Sequence, residues 1–394
     1  MIRRLAFQQL RRRPVTTALL LLVVALAIGV SAFLTTLHQS LQRGLTLATE
    51  PFTLLVASPG SQHQLVLSTV FLQDRPLANL PYAEVTRLSD DRRLVRNAIP
   101  LAFGDTFQGY RVVGAVPAIF QVKAAPKAPA WLSLRAGRPF AAPFEAVIGH
   151  DVASRLHLQI GSTFQSSHGL LPGKKRAHAA HPFTVVGILD DVHGPYNQAI
   201  LTDIASVWAL HNATAREVSA IMVEPAGYSQ AYVLASRYQH RKDAQLVFPA
   251  QTIVQFFNLM GRGEAMWRPV GALLLLLSIL LVVITSYLST LTRLREYAIL
   301  RALGATEKDI VVLWLWQNGF LLVGGTVLGA LFGIGGCAFL AHVLTASTAV
   351  TLPLTVTPAL VLLLGAAIVI GLAASLAPAA LLRRKLAAAQ AEEL

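Results

Sequence analysis

A chain of 394 residues with 54% hydrophobic and 13% charged side chains, and a mean hydropathy of +0.55, is too apolar for a soluble protein of this size and reads as an integral membrane protein. The formal charge of +13 would suit nucleic acid if it were spread over a folded surface. Outside residues 39–268, however, 12 Lys and Arg face 5 Asp and Glu at the edges of apolar runs, against a scattered 21 and 15 inside, so the basic excess is an orientation signal and no nucleic-acid partner is expected.

Arg3, Arg4 and Arg11 to Arg13 precede an uncharged run from Val15 to Leu37, about the ~20 residues that span a hydrocarbon core. Residues 1–14 are therefore expected as a cytoplasmic amphipathic helix on the membrane surface, and 15–38 as a first span leading outward. Val30-Ser31-Ala32 has the small residues of a signal-peptide cleavage site, but the apolar run exceeds the ~7–15 residues of such segments. Cleavage there would leave the sidedness of the rest unchanged.

Residues 39–268 mix charges with frequent Pro and Gly and contain no spanning run, which predicts a large extracytoplasmic α+β domain. Strands are expected over 52–56, 110–116, 144–149 and 181–189, and helices over 151–157, 202–211 and 227–239. His168, His178, His181 and His193 fall close together in sequence near Asp190-Asp191, a composition that suits a transition metal such as zinc. The opposing reading, a solvated polar hairpin, is favoured because no paired ligand spacing such as HExxH is present. Gly169 to Lys175 superficially resembles a phosphate loop, yet it is one residue short and has Lys where Ser or Thr would hold Mg2+. Neither a complete Walker pattern nor a Gly-x-Ser-x-Gly elbow occurs, so the chain has no visible ATPase or hydrolase machinery of its own. With Cys337 alone, no intrachain disulfide forms.

A second span is expected over 269–292, followed by a charged segment at 293–309. Its good helix formers run into Gly304, a left-handed C-cap, and Thr306 with Asp309 three residues on reads as the N-cap of the next helix. The third span, 310–341, has Trp314 and Trp316 near its start, placed either in an interfacial belt or against a neighbouring helix. Gly325, Gly329 and Gly333 form a small-xxx-small stripe for close helix packing, with a partner in the same chain or in a second copy. An outer loop at 342–357, a fourth span at 358–382 and a basic tail at 383–394 complete the chain. The expected fold is thus an α-helical membrane protein with four transmembrane helices, a large α+β extracytoplasmic domain between helices 1 and 2, and both termini in the cytoplasm.

The order Arg295-Glu-Tyr-Ala-Ile-Leu-Arg-Ala-Leu-Gly-Ala-Thr306 resembles the signature of FtsX-like, or MacB-type, ABC transporter permeases, and the pattern from Gly137 to Leu189 is similar to their outer domain. The resemblance implies that 293–309 is a coupling helix docking on a separate ABC ATPase dimer. Arg295, Glu296 and Arg301 would make polar contacts, Ile299, Leu300 and Leu303 would fill a groove, and Gly304 would allow the turn. It further implies ATP and Mg2+ on the partner with no cofactor on this chain, a permease homodimer, a periplasmic or outer-membrane partner, and residence in a bacterial inner membrane among its lipids. One departure is Gln317, close to where members often carry Glu in the third helix. No Asp, Glu, Lys or Arg lies inside the expected spans, so mechanical coupling is favoured over a polar conduction path. Two alternatives remain at this level: a relay that activates an outer enzyme, and a permease in zinc or haem handling.

Overall fold

The computed structural model describes residues 2–124, 127–168, 181–211, 215–258, 304–348, 350–354 and 358–391, with isolated positions between 269 and 299. Two compact units form: a helical unit of Met1–Ser40, Met260–Ala341 and Leu354–Leu394, and a head unit of Leu41–Leu259 with His342–Pro353. The chain opens with α1 (Ile2–Arg11) and α2 (Pro14–Thr49). Pro14 takes the first position of α2, where its missing N–H costs no helical bond, and Thr17 Oγ1 donates to the Leu10 carbonyl at 2.9 Å across the bend. The helix continues well past the expected end of the first span at residue 38. Nothing after His38 breaks it, because no proline occurs until Pro51.

The head unit carries β1 (Leu54–Ala57), α3 (Gln62–Thr69), β2 (Leu80–Pro81), α4 (Ala83–Asp90), β3 (Val95–Phe107), β4 (Tyr110–Ala115), β5 (Leu134–Gly137), β6 (Glu145–Ile148) and α5 (His150–Leu156). β7 (Thr163–Phe164), β8 (Ser167–His168), β9 (Phe183–Leu189), β10 (Ala199–Asp203), α6 (Ile204–Leu210), β11 (Glu217–Val218), β12 (Ala220–Pro225), α7 (Tyr228–Gln239) and β13 (Gln245–Val247) follow. The expected strands at 52–56, 110–116, 144–149 and 181–189 coincide with β1, β4, β6 and β9, and the expected helices with α5, α6 and α7.

β3, which no local signal announced, organises the head. Its first half pairs antiparallel with β12, from Val95 to Leu101; from Ala102 it pairs with β4 instead. The register slips between Phe103 and Thr106, at Gly104-Asp105, and such a bulge bends a strand enough to serve two sheets. On one side the order is β13-β1-β12-β3, all antiparallel; on the other it runs β3-β4-β10-β6-β9-β5, with β4/β10 and β6/β9 parallel. Each side has its own apolar core. Leu54, Val56, Val85, Leu88, Ile221 and Leu234 fill the first, and Val112, Ile148, Val152, Phe164, Phe183 and Ile200 the second.

The helical unit resumes with α8 (Glu307–Thr348) and α9 (Pro358–Ala391). Leu20, Val24 and Ile28 of α2, Leu321 of α8 and Ala367 of α9 make its apolar core. The glycine stripe of α8 lies against α2 of the same chain. A Cβ on Gly325 would meet Val24 Cβ at 2.6 Å, one on Gly329 the Ala25 carbonyl oxygen at 2.6 Å, and one on Gly333 the Gly29 carbonyl oxygen at 2.5 Å. Two of the three approaches are backbone to backbone, which only glycine permits. Among the described residues two helices, Pro14–Thr49 and Lys308–Thr345, are long and apolar enough to cross a membrane, and Leu360–Leu376 is a shorter apolar stretch within α9. Most of the expected second span, 269–292, lies outside the described residues.

Candidate functional site

The charged turn before α8 is built from two local devices. Gly304 has φ +98°, a conformation that L side chains rarely adopt, and no atom lies near its would-be Cβ. Glycine is required here for backbone conformation rather than for space. Two residues on, Thr306 and Asp309 cap each other. The Asp309 carboxylate accepts from Thr306 N at 2.8 Å and from Thr306 Oγ1 at 2.7 Å, while Asp309 N donates to Thr306 Oγ1 at 3.3 Å. This reciprocal arrangement satisfies donors that a helix start leaves open and fixes where α8 begins. Ile299 is helical and 56% exposed, a large aliphatic side chain at the surface. Arg295, Glu296, Leu300, Arg301 and Leu303 lie outside the described residues.

Immediately beyond the turn, α8 receives α1. Phe7 packs edge-on against Phe320 with ring centroids 5.9 Å apart, Phe320 lies 5.6 Å from Trp316, and the Arg3 guanidinium sits over Trp316 at 5.9 Å. Gln317 Nε2 donates to Gln9 Oε1 on α1, so this position makes an uncharged amide contact. The two tryptophans differ: Trp314 is 3% exposed within the helical unit, whereas Trp316 is 42% exposed at its surface.

At the far end of α2, Pro51 stops the helix and Phe52 enters the head. Phe52 is fully buried, 5.1 Å from Trp131 and 5.7 Å from Tyr196 by ring centroids, and Tyr196 in turn donates its hydroxyl to the Thr69 carbonyl at 3.1 Å. The final turns of α2 also approach the segment between α8 and α9. A Cβ on Gly44 would fall 2.5 Å from the Thr351 carbonyl oxygen, and Thr351 Oγ1 donates to the His193 carbonyl at 2.8 Å. These anchor residues escaped the sequence reading. An isolated glycine inside a helix-forming stretch, as at Gly44, was the one available signal of a close approach.

Among the described residues the histidines do not gather. His181 stacks on Phe144 with ring centroids 4.9 Å apart, while His193 Nδ1 lies 3.1 Å from Asp191 Oδ1. His168 belongs to β8, opposite Asp105 of β3, and His178 and the 169–175 loop lie outside the described residues. Among the described residues no three His, Cys, Asp or Glu side chains come together as a metal site.

The helical unit thus has a capped turn at the start of α8 and a closely packed α2–α8 pair, and the head unit has the aromatic cluster around Phe52. Comparison with known proteins matches residues 270–387 to the FtsX-like permease C-terminal family model, and residues 17–237, more than half of the chain, to the MacB-like periplasmic core domain. No curated protein matches the chain. Among solved structures, the crystal structure of the periplasmic region of MacB from Actinobacillus actinomycetemcomitans is similar at 15% identity and a TM-score of 0.36, over 55% of this chain and 95% of that one. With one family model covering the helix-and-head portion and the other the C-terminal helices, the chain belongs to the FtsX-like, MacB-type family of ABC transporter permeases and carries a MacB-like periplasmic core domain.

Proposed function

We propose that this chain is the permease subunit through which a separate ABC ATPase dimer, holding ATP and Mg2+, moves the periplasmic head for export or extraction of a substrate. The reading has four spans, at 15–38, 269–292, 310–341 and 358–382, with the 293–309 segment on the cytoplasmic side of a bacterial inner membrane. One observation carries the reading: α8 starts at the capped turn and packs on α2 through Gly325, Gly329 and Gly333, while α2 runs as a single helix to Thr49, three residues before the buried Phe52. Contacts between backbones have no side-chain slack, so a displacement imposed at the turn is passed to α2 rather than absorbed in rotamer changes. Arg295, Glu296 and Arg301 supply the polar docking contacts, with Ile299, Leu300 and Leu303 filling the ATPase groove. Family membership supports the ATPase as the partner.

The test is ATPase stimulation by the full chain after co-purification with its ATPase, alongside Gly304→Val. Valine is strained at φ +98° yet meets no neighbour, so the variant is expected to keep its head and helical unit folded while stimulation falls at least about tenfold. Full stimulation by Gly304→Val, or protease protection that puts 293–309 and the head in one compartment, refutes the assignment.

A further inference from the structure

The five arginines of the first thirteen residues have no carboxylate near them in sequence, because Glu50 is the first acidic residue of the chain. The coupling mechanism does not use them. α1 buries Ala6, sets Leu10 against the helical-unit core and lays Phe7 on Phe320. That arrangement turns the other side of the helix outward: Arg4, Gln8 and Arg11, spaced four and three residues apart, share one exposed face, and Arg12 follows on. Arg3 is held at the edge of this face by Trp316. Several guanidinium groups so placed repel one another until an anion sits between them, and their planar forks match a phosphate in bidentate fashion.

What the anion is attached to follows from the next helix. Directly after Arg13, α2 presents Val15, Leu19 and Leu22, all more than half exposed and spaced four and three residues apart along one face. A basic face continuous with an exposed aliphatic stripe has the two-part chemistry of one molecule, an anionic head on long acyl chains. The stripe belongs to a helix apolar enough to cross a membrane, so the acyl chains of a lipid held by the arginines run alongside it, for which a soluble phosphate compound has no counterpart.

We propose that Arg3, Arg4, Arg11 and Arg12 form a binding site for the phosphodiester headgroup of an anionic phospholipid, whose acyl chains run along Val15, Leu19 and Leu22. This rests on the membrane embedding of the family and not on ATPase coupling, so the two readings fail separately. Basic clusters flanking a membrane helix draw acidic lipids in this way, and the exposed Trp316 beside Arg3 reports on it directly.

The experiment places the full-length protein in phosphatidylcholine vesicles containing a minor fraction of phosphatidylglycerol or of phosphatidylcholine brominated on the acyl chains, and reads tryptophan quenching. The Trp316 signal is the difference between the wild type and Trp316→Phe. Brominated phosphatidylglycerol is expected to quench it about threefold more strongly than brominated phosphatidylcholine, and Arg4→Gln with Arg11→Gln, neither of which packs in the protein core, should reduce that preference by at least about half. Soluble glycerol phosphate is expected to leave the preference intact. Equal quenching by the two lipids overturns the site, an unchanged preference in the double variant overturns its arginines, and displacement by glycerol phosphate reassigns it to a soluble phosphate.

Discussion

Gly329→Ala and Gly335→Ala make the same chemical change six residues apart in one helix, and the structure gives them opposite signs. At Gly329 the added methyl would sit 2.6 Å from the Ala25 carbonyl oxygen, 2.9 Å from Ile28 Cβ and 3.0 Å from Gly29 N. None of those atoms can turn aside by a rotamer change, so α2 and α8 must part by roughly 1 Å to restore ordinary contact distances. Overpacking a well-fitted contact costs about 1–3 kcal/mol, which outweighs the gain of up to ~1 kcal/mol in helix propensity from Gly to Ala. At Gly335 nothing lies within 4 Å, leaving only the gain. Reversible unfolding in mixed micelles should therefore find Gly329→Ala destabilised by about 1–2 kcal/mol and Gly335→Ala unchanged or up to ~1 kcal/mol more stable. The coupling proposal adds a second expectation: Gly329→Ala lowers ATPase stimulation and Gly335→Ala does not. If both variants unfold alike, or Gly335→Ala is the weaker, the backbone seam is not what holds these helices together.

Phe52→Ala should destabilise the head by about 3–5 kcal/mol, the usual loss for a fully buried phenylalanine, and urea unfolding of the purified chain followed by the fluorescence of the adjacent Trp131 would measure it. It should also weaken coupling, since the end of α2 loses its hold. The Arg138–Glu145 pair makes a pH prediction. The side-chain bond from Arg138, helped by the Ala141 amide, holds the Glu145 carboxyl down at about 2 against an ordinary value of 4.5. A folded-state value below the unfolded one contributes stability that is complete above pH 4.5 and is lost as pH falls toward 2. Glu145→Gln should accordingly flatten the acid limb of the stability profile between those values, and an unchanged acid limb would show that the pair contributes nothing measurable.

How much was legible depended on the range of the interaction responsible. The turn at 304–309 was readable because its causes are local: a glycine at a helix end and a Thr-x-x-Asp cap act through neighbouring backbone groups. Strands such as β4 and β9 announced themselves by β-branched runs bounded by turn residues. β3 did not, because Pro100, Gly104 and Asp105 read as breakers within it. In the folded head Gly104 and Asp105 mark the bulge where the strand changes partner, so the same residues that hid the strand give it its role. Closeness along the chain says little about closeness in space: among the described residues His181 stacks on Phe144 and His193 sits beside Asp191, while His178 lies outside them.

By itself the amino-acid order determined that this is a membrane protein, where its apolar runs lie, and that a charged, capped turn precedes α8, since hydropathy and backbone conformation depend on residues a few positions apart. Only the tertiary structure decided that the glycine stripe meets α2 of the same chain, that α2 continues to Thr49 and hands over to a buried Phe52, and that Thr351 bonds to the His193 carbonyl. Those pairings join positions more than 150 residues apart in two of the three cases, where complementarity of shape and long-range hydrogen bonding choose the partner and no local pattern records the choice.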